Sequence, residues 1–86
     1  MRIIVVYDVE EKRVQKVLKF LRRYLNWVQN SVFEGEITYT ELKEIKQGLK
    51  KIIKTDTDSV VFYKLKDSPF EKEVLGIEKS NVTNLY

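Results

Sequence analysis

Ile3-Ile4-Val5-Val6-Tyr7, followed by Asp8-Val9-Glu10-Glu11, is the stretch that decides how this chain folds. A bulky, mostly β-branched run reads as a central strand, paired on both edges and covered on one face. The acids after it suit the positive N-terminal end of a helix, so the chain passes from strand to helix within a few residues. The helix is expected over about residues 11–25. Val14, Val17, Leu18, Leu21 and Leu25 fall on one face at helical spacing, and Lys12, Lys16, Lys19 and Arg23 form a stripe on the other. Asn26 ends it. From Trp27 to Ile37 the chain reads as two short strands with a break near Gln29-Asn30-Ser31 or Glu34-Gly35.

A second helix opens at Thr38 or Thr40, with Thr40-Glu41-Leu42-Lys43 offering an N-cap hydroxyl. Leu42, Ile45, Leu49, Ile52 and Ile53 form its apolar face, flanked on one side by Lys43, Lys46, Lys50 and Lys54. Gly48 in mid-helix costs about 1 kcal/mol against alanine, which predicts a close approach there. A turn at Thr55-Asp56-Thr57-Asp58, a strand over 59–65, a loop over 66–73 containing Pro69 and a strand over 74–77 complete the chain. The order β-α-β-β-α-β plus one C-terminal strand predicts an α+β, ferredoxin-like sandwich forming a single domain over residues 1–86. Its two helices cover one sheet face. A second copy of the chain is the simplest cover for the other.

Composition narrows the chemistry. With no cysteine and no histidine among 86 residues, disulfides, thiolate or imidazole metal sites and histidine-dependent nucleophiles are excluded. Catalysis must run on carboxylates, hydroxyls, lysine, arginine or an oxygen-bound metal. No apolar run approaches the ~18 residues that span a bilayer, and the N-terminal stretch is too short and too acidic for a signal peptide, so no membrane partner is expected. The net charge of +3 conceals a segregation. Residues 12–23 hold six basic side chains and no acid, and residues 43–54 hold five lysines against Glu44. From Asp56 onward six acids face four lysines. Two basic blocks suit a polyanion partner, and taken alone they suit a simply solvated surface better.

Two familiar occupants of this fold fail on their residues. An RNA-recognition module needs an aromatic-rich strand, and Asn30-Ser31-Val32-Phe33-Glu34-Gly35-Glu36 puts acids where bases would stack. An acylphosphatase-like site needs a glycine-rich anion loop after the first strand, where Asp8-Val9-Glu10-Glu11 would repel phosphate. What remains is the strand-end acid. Ile4-Val5-Val6-Tyr7-Asp8-Val9, Arg13 early in the first helix, Val28-Gln29-Asn30-Ser31-Val32-Phe33-Glu34-Gly35, and Asp58-Ser59-Val60-Val61-Phe62-Tyr63 together resemble the CRISPR-associated endoribonuclease (Cas-two) family. The resemblance spans essentially the whole chain. The Tyr-Asp strand end is common, and its combination with the Val-Gln-x-Ser-Val-Phe-Glu segment is much more specific.

The resemblance implies a cytoplasmic homodimer of spacer acquisition. Such a protein acts as a metal-dependent endonuclease on RNA or DNA, or serves as a non-catalytic scaffold bridging CRISPR integrase subunits. It implies Asp8 as catalytic residue and ligand of Mg2+, one carboxylate from each subunit. Two carboxylates near a two-fold axis repel, and a divalent cation removes that cost. Magnesium takes few carboxylates and keeps its waters. Arg13, Lys16, Lys43, Lys46 and Lys50 are the expected nucleic-acid contacts, and Tyr7 and Ser31 the candidates for lining the cleft. The bland alternatives are a helix cap for Asp8, packing for Tyr7, a solvated arginine at Arg13 and a satisfied strand break at Ser31. Phe33 reads as core, and Trp27 as a half-buried anchor.

Overall fold

A computed structural model describes residues 1–65 and 71–78. Within them the chain runs β1 (Arg2–Asp8), α1 (Glu11–Leu21), β2 (Asn26–Gln29), β3 (Val32–Glu36), α2 (Tyr39–Ile52), β4 (Ser59–Leu65) and β5 (Glu71–Gly76). The strands form one antiparallel sheet in the order β2-β3-β1-β4-β5. This is the ferredoxin-like arrangement with the extra strand on the β4 edge. The β1 run is central, as its unbroken apolar character requires.

Alternation along β1 splits the sheet into two faces. Ile3, Val5 and Tyr7 are buried and meet Phe33, Val60 and Phe62 from the neighbouring strands. Val17 and Leu21 of α1, with Ile45 and Leu49 of α2, complete that core. On the opposite face the cross-strand pairs Val6–Val32, Val6–Val61, Ile4–Tyr63 and Val61–Val74 form a continuous apolar strip that is only partly buried.

Several boundaries differ from expectation. Helix α1 ends at Leu21, because the next amides tighten the chain: Arg23 N bonds Phe20 O at 3.1 Å, and Tyr24 N bonds Leu21 O at 3.0 Å. Leu25 stays in the core through this turn. Thr38 caps α2, its hydroxyl accepting from Glu41 N at 3.1 Å while the Glu41 carboxylate accepts from Thr38 N at 2.9 Å. The strand break is a bulge between Trp27 and Gln29 followed by a turn in which Asn30 takes φ 43°. Trp27 is 49% exposed, its indole N–H donating to Asn30 O at 2.9 Å. What approaches Gly48 is the Phe20 ring: a Cβ there would lie 2.1 Å from Phe20 Cζ. The last strand starts at Glu71, earlier than expected, and pairs with β4 of its own chain. Pro69 lies outside the described residues.

Candidate active site and cationic face

Asp8 is the last residue of β1, exposed, on the same sheet face as Ile4 and Val6. Its cross-strand neighbour is Ser59, the first residue of β4. Tyr7 points to the other face and is 3% exposed. Burial pushes its phenol up, opposed by a hydrogen bond with Ser31 and the charge of Arg22. Ser31 O also accepts from Tyr7 N at 3.1 Å, so Ser31 fastens the β2–β3 turn beside the end of β1. The structure thus brings Tyr7 and Ser31 together in packing and leaves Asp8 on the exposed side. No group of three or more acidic side chains that could hold a metal converges among the described residues.

Behind Asp8 lies a buried charge network. Asp58 is fully buried in the turn after α2 and accepts from Arg13 Nε at 2.6 Å and Arg13 Nη2 at 3.0 Å. It also accepts from Glu10 N at 3.0 Å and Lys54 N at 2.9 Å. Arg13 Nη2 further reaches Glu10 Oε1 at 2.5 Å and Thr57 Oγ1 at 3.3 Å. The Arg13 hydrogen bonds hold the Asp58 carboxyl far below the ordinary carboxylate range, against the opposing effect of burial. The guanidinium is in turn pushed above its ordinary value, first by its hydrogen bond with Asp58. This one carboxylate ties the loop leaving Asp8 to α1, to the end of α2 and to the start of β4.

Arg13, expected at phosphate, is 8% exposed and committed within the chain. Its place was marked in the sequence, since Arg13, Val17 and Leu21 form one i, i+4, i+8 row that is buried throughout. Asp58 was not singled out as a site residue at all. Lys46 is committed as well: its ammonium bonds both carboxylate oxygens of Glu73 at 2.6 Å, and Lys64 reaches Glu73 Oε1 at 2.9 Å. Both lysines hold the Glu73 carboxyl below its ordinary value, with Lys46 the larger influence. Lys16, Lys43 and Lys50 are exposed and form no ion pair among the described residues.

A strand-end carboxylate on an open sheet face, with basic helices on the other, is the pattern that comparison with known proteins resolves. Residues 1–73 match the family model for CRISPR associated protein Cas2. The chain belongs to the Cas2 family. It is 59% identical over 85 residues to a CRISPR-associated endoribonuclease Cas2 of Pyrococcus furiosus, which covers 99% of both chains. A Thermococcus kodakarensis protein of the same name is 54% identical over 85 residues, again covering 99% of each. A solved Cas2 crystal structure superposes with a TM-score of 0.73 at 49% identity, covering 95% of this chain and 93% of that one. The fold and membership of Cas2 are therefore as the sequence predicted. Among the described residues no helix is long and apolar enough to cross a membrane.

Proposed function

We propose that this Cas2 chain is an endonuclease of CRISPR defence that works as a homodimer on RNA or DNA, with Asp8 from each subunit holding one Mg2+. The observation that carries the reading is the position of Asp8 at the end of the partly exposed apolar strip formed by Ile4, Val6, Val32, Val61, Tyr63 and Val74. An 86-residue chain has a thin core, and pairing that strip across a two-fold axis buries it. The same pairing carries Asp8 towards its symmetry mate. Relatives named endoribonuclease support RNA as one substrate.

One carboxylate per chain fits magnesium, which needs only one or two and completes its shell with water and phosphate oxygens. When bound, the metal lowers the pKa of a water and neutralises charge developing on the phosphodiester. Within the chain, Asp8 contributes the negative charge, and the Asp58–Arg13–Glu10 network fixes the loop that follows it. Asp8→Asn keeps the shape and removes the charge. Magnesium-dependent cleavage should fall at least about a hundredfold while thermal stability and dimer mass by light scattering persist. Calcium should support binding with little cleavage. Cleavage at the wild-type rate by nuclease-free Asp8→Asn would take Asp8 out of the reaction.

A second reading has its own support. Lys16, Lys43 and Lys50, without an ion pair among the described residues, lie on the helix layer away from Asp8, which suits a scaffold holding nucleic acid between CRISPR integrase subunits. On that reading Asp8→Asn leaves nucleic-acid binding and integrase partnership intact.

A further inference from the structure

Helices α1 and α2 run antiparallel, with Tyr24 beside Glu44 and Phe20 beside Gly48, and Lys16 and Ile52 line the same groove further along. Between them lies an open groove of about 300 Å³ lined by Lys16, Lys19, Phe20, Arg23 and Ile52. The three cations were expected on an outward stripe, but they border this groove. All three are exposed and form no ion pair among the described residues, in contrast to Arg13, Lys46, Lys64 and Lys72. Phe20 and Ile52 are only partly buried. Gly48 makes the aromatic floor possible, since any Cβ there would displace the Phe20 ring.

We propose that this groove holds one unstacked nucleotide of a single-stranded nucleic acid, its base against Phe20 and Ile52 and its flanking phosphates on Lys16, Lys19 and Arg23. Cations and an apolar floor are paired in this groove. A duplex keeps its bases in the stack and would leave that floor uncovered. A small inorganic anion would leave it uncovered as well. An aromatic side chain inside a cationic groove is the combination that single strands select, the backbone held by charge and the base by stacking. Lys16 lies on α1 and Arg23 in the turn just past its end, so the two cations flank Phe20 from either side along the chain, which suits phosphates on either side of one base. The proposal rests on the nucleic-acid reading above and narrows it to single strands.

The test is binding, measured without cleavage in EDTA by fluorescence anisotropy. The probes are oligo-U and oligo-dT 12-mers, an abasic 12-mer of equal charge and a 12-base-pair duplex. Base-bearing single strands should bind about tenfold more tightly than the abasic strand. Phe20→Leu, checked for an unchanged fold by circular dichroism, should erase that difference while leaving the salt slope unaltered. Lys16→Gln, Lys19→Gln and Arg23→Gln should each lower the slope by about 0.7 on single strands. Equal affinity for abasic and base-bearing strands, or a base preference that survives Phe20→Leu, overturns the groove and leaves the nucleic-acid reading standing. Loss of all binding to every probe by the wild type would overturn both.

Discussion

Replacing Asp58 by asparagine tests whether the network behind Asp8 is a principal support of this fold. The isosteric change removes the charge facing Arg13 and turns one acceptor into an NH2 group. That group points at donors, since Asp58 takes bonds from Arg13 Nε at 2.6 Å, Glu10 N at 3.0 Å and Lys54 N at 2.9 Å. Breaking a buried pair from one side costs about 3–5 kcal/mol, because the remaining charge stays buried without its partner. A domain of this size has about 5–15 kcal/mol in total. At about 4–8 °C per kcal/mol, Asp58→Asn should lower Tm by roughly 12–40 °C. Circular dichroism at pH 7 measures it, at fixed protein concentration because assembly raises Tm by mass action. An apolar double variant, Arg13→Met with Asp58→Leu, should not restore the loss, since it strands the Glu10 and Lys54 amides that Asp58 satisfies. A fall of under about 5 °C for Asp58→Asn would refute the reasoning: the carboxylate would then be replaceable by any polar group.

Acid should weaken the same network. Arg13 holds the Asp58 carboxyl below its unfolded value, so its stabilisation is complete above the ordinary carboxyl pKa of about 4 and is lost as pH falls through the folded value. Tm should be flat down to about pH 5 and fall below about pH 4, and an undiminished acid fall in Asp58→Asn would assign it to other carboxylates such as Glu73. Among the α2 lysines, Lys50→Gln should lower the salt slope of single-strand binding by about 0.7, whereas Lys46→Gln should not, because Glu73 already neutralises Lys46. Equal effects of the two substitutions would contradict that pairing. Gly76→Ala forces a side chain onto φ +83° and sets its Cβ 2.1 Å from the Asp58 carbonyl oxygen, so it should cost at least about 1–3 kcal/mol in a urea melt. An unaltered melt would mean that the end of β5 gives way freely.

The parts of the fold that were legible in the sequence are those written in short-range pattern. The apolar run of β1 and the helical spacing of Val17 and Leu21 each declare themselves within a few residues, whereas the cap of α2 was read at Thr40 and falls on Thr38, which alone has Glu41 three residues on to close the box. Helix α1 was read too long because Leu25 keeps the apolar period, although the chain satisfies that burial from a tight turn. The position of Asp8 at the end of β1 was legible, because a strand end is written in the run before it. The site was not legible where the partner lies far along the chain: Arg13 meets Asp58 across 45 residues, and Lys46 meets Glu73 across 27. A basic side chain reads alike whether its charge is free or spent. In Arg13 the helical row shared with Val17 and Leu21 carried the hint, because a charge on a buried row needs a buried partner.

The two functional readings depend on opposite sides of one sheet, which makes them separable. Asp8 sits on the open face with Ile4 and Val6, while Lys16, Lys19, Lys43 and Lys50 sit on helices that cover the other, with Arg23 in the turn just after α1. A residue that served both chemistry and holding would confound any substitution, and no such residue is placed here. The Asp58 network is the covalently short route between the sides: Glu10 follows Asp8 by two residues, and Arg13 lies in the first turn of the helix that carries the groove. Disturbing Asp58 therefore reaches both readings at once, through stability. Asp8→Asn alone touches the carboxylate, and the Gln substitutions on α1 alone touch the groove. Cleavage lost with binding kept, and binding lost with the Asp8 strand end unaltered, are the two outcomes that a division of labour between the faces requires.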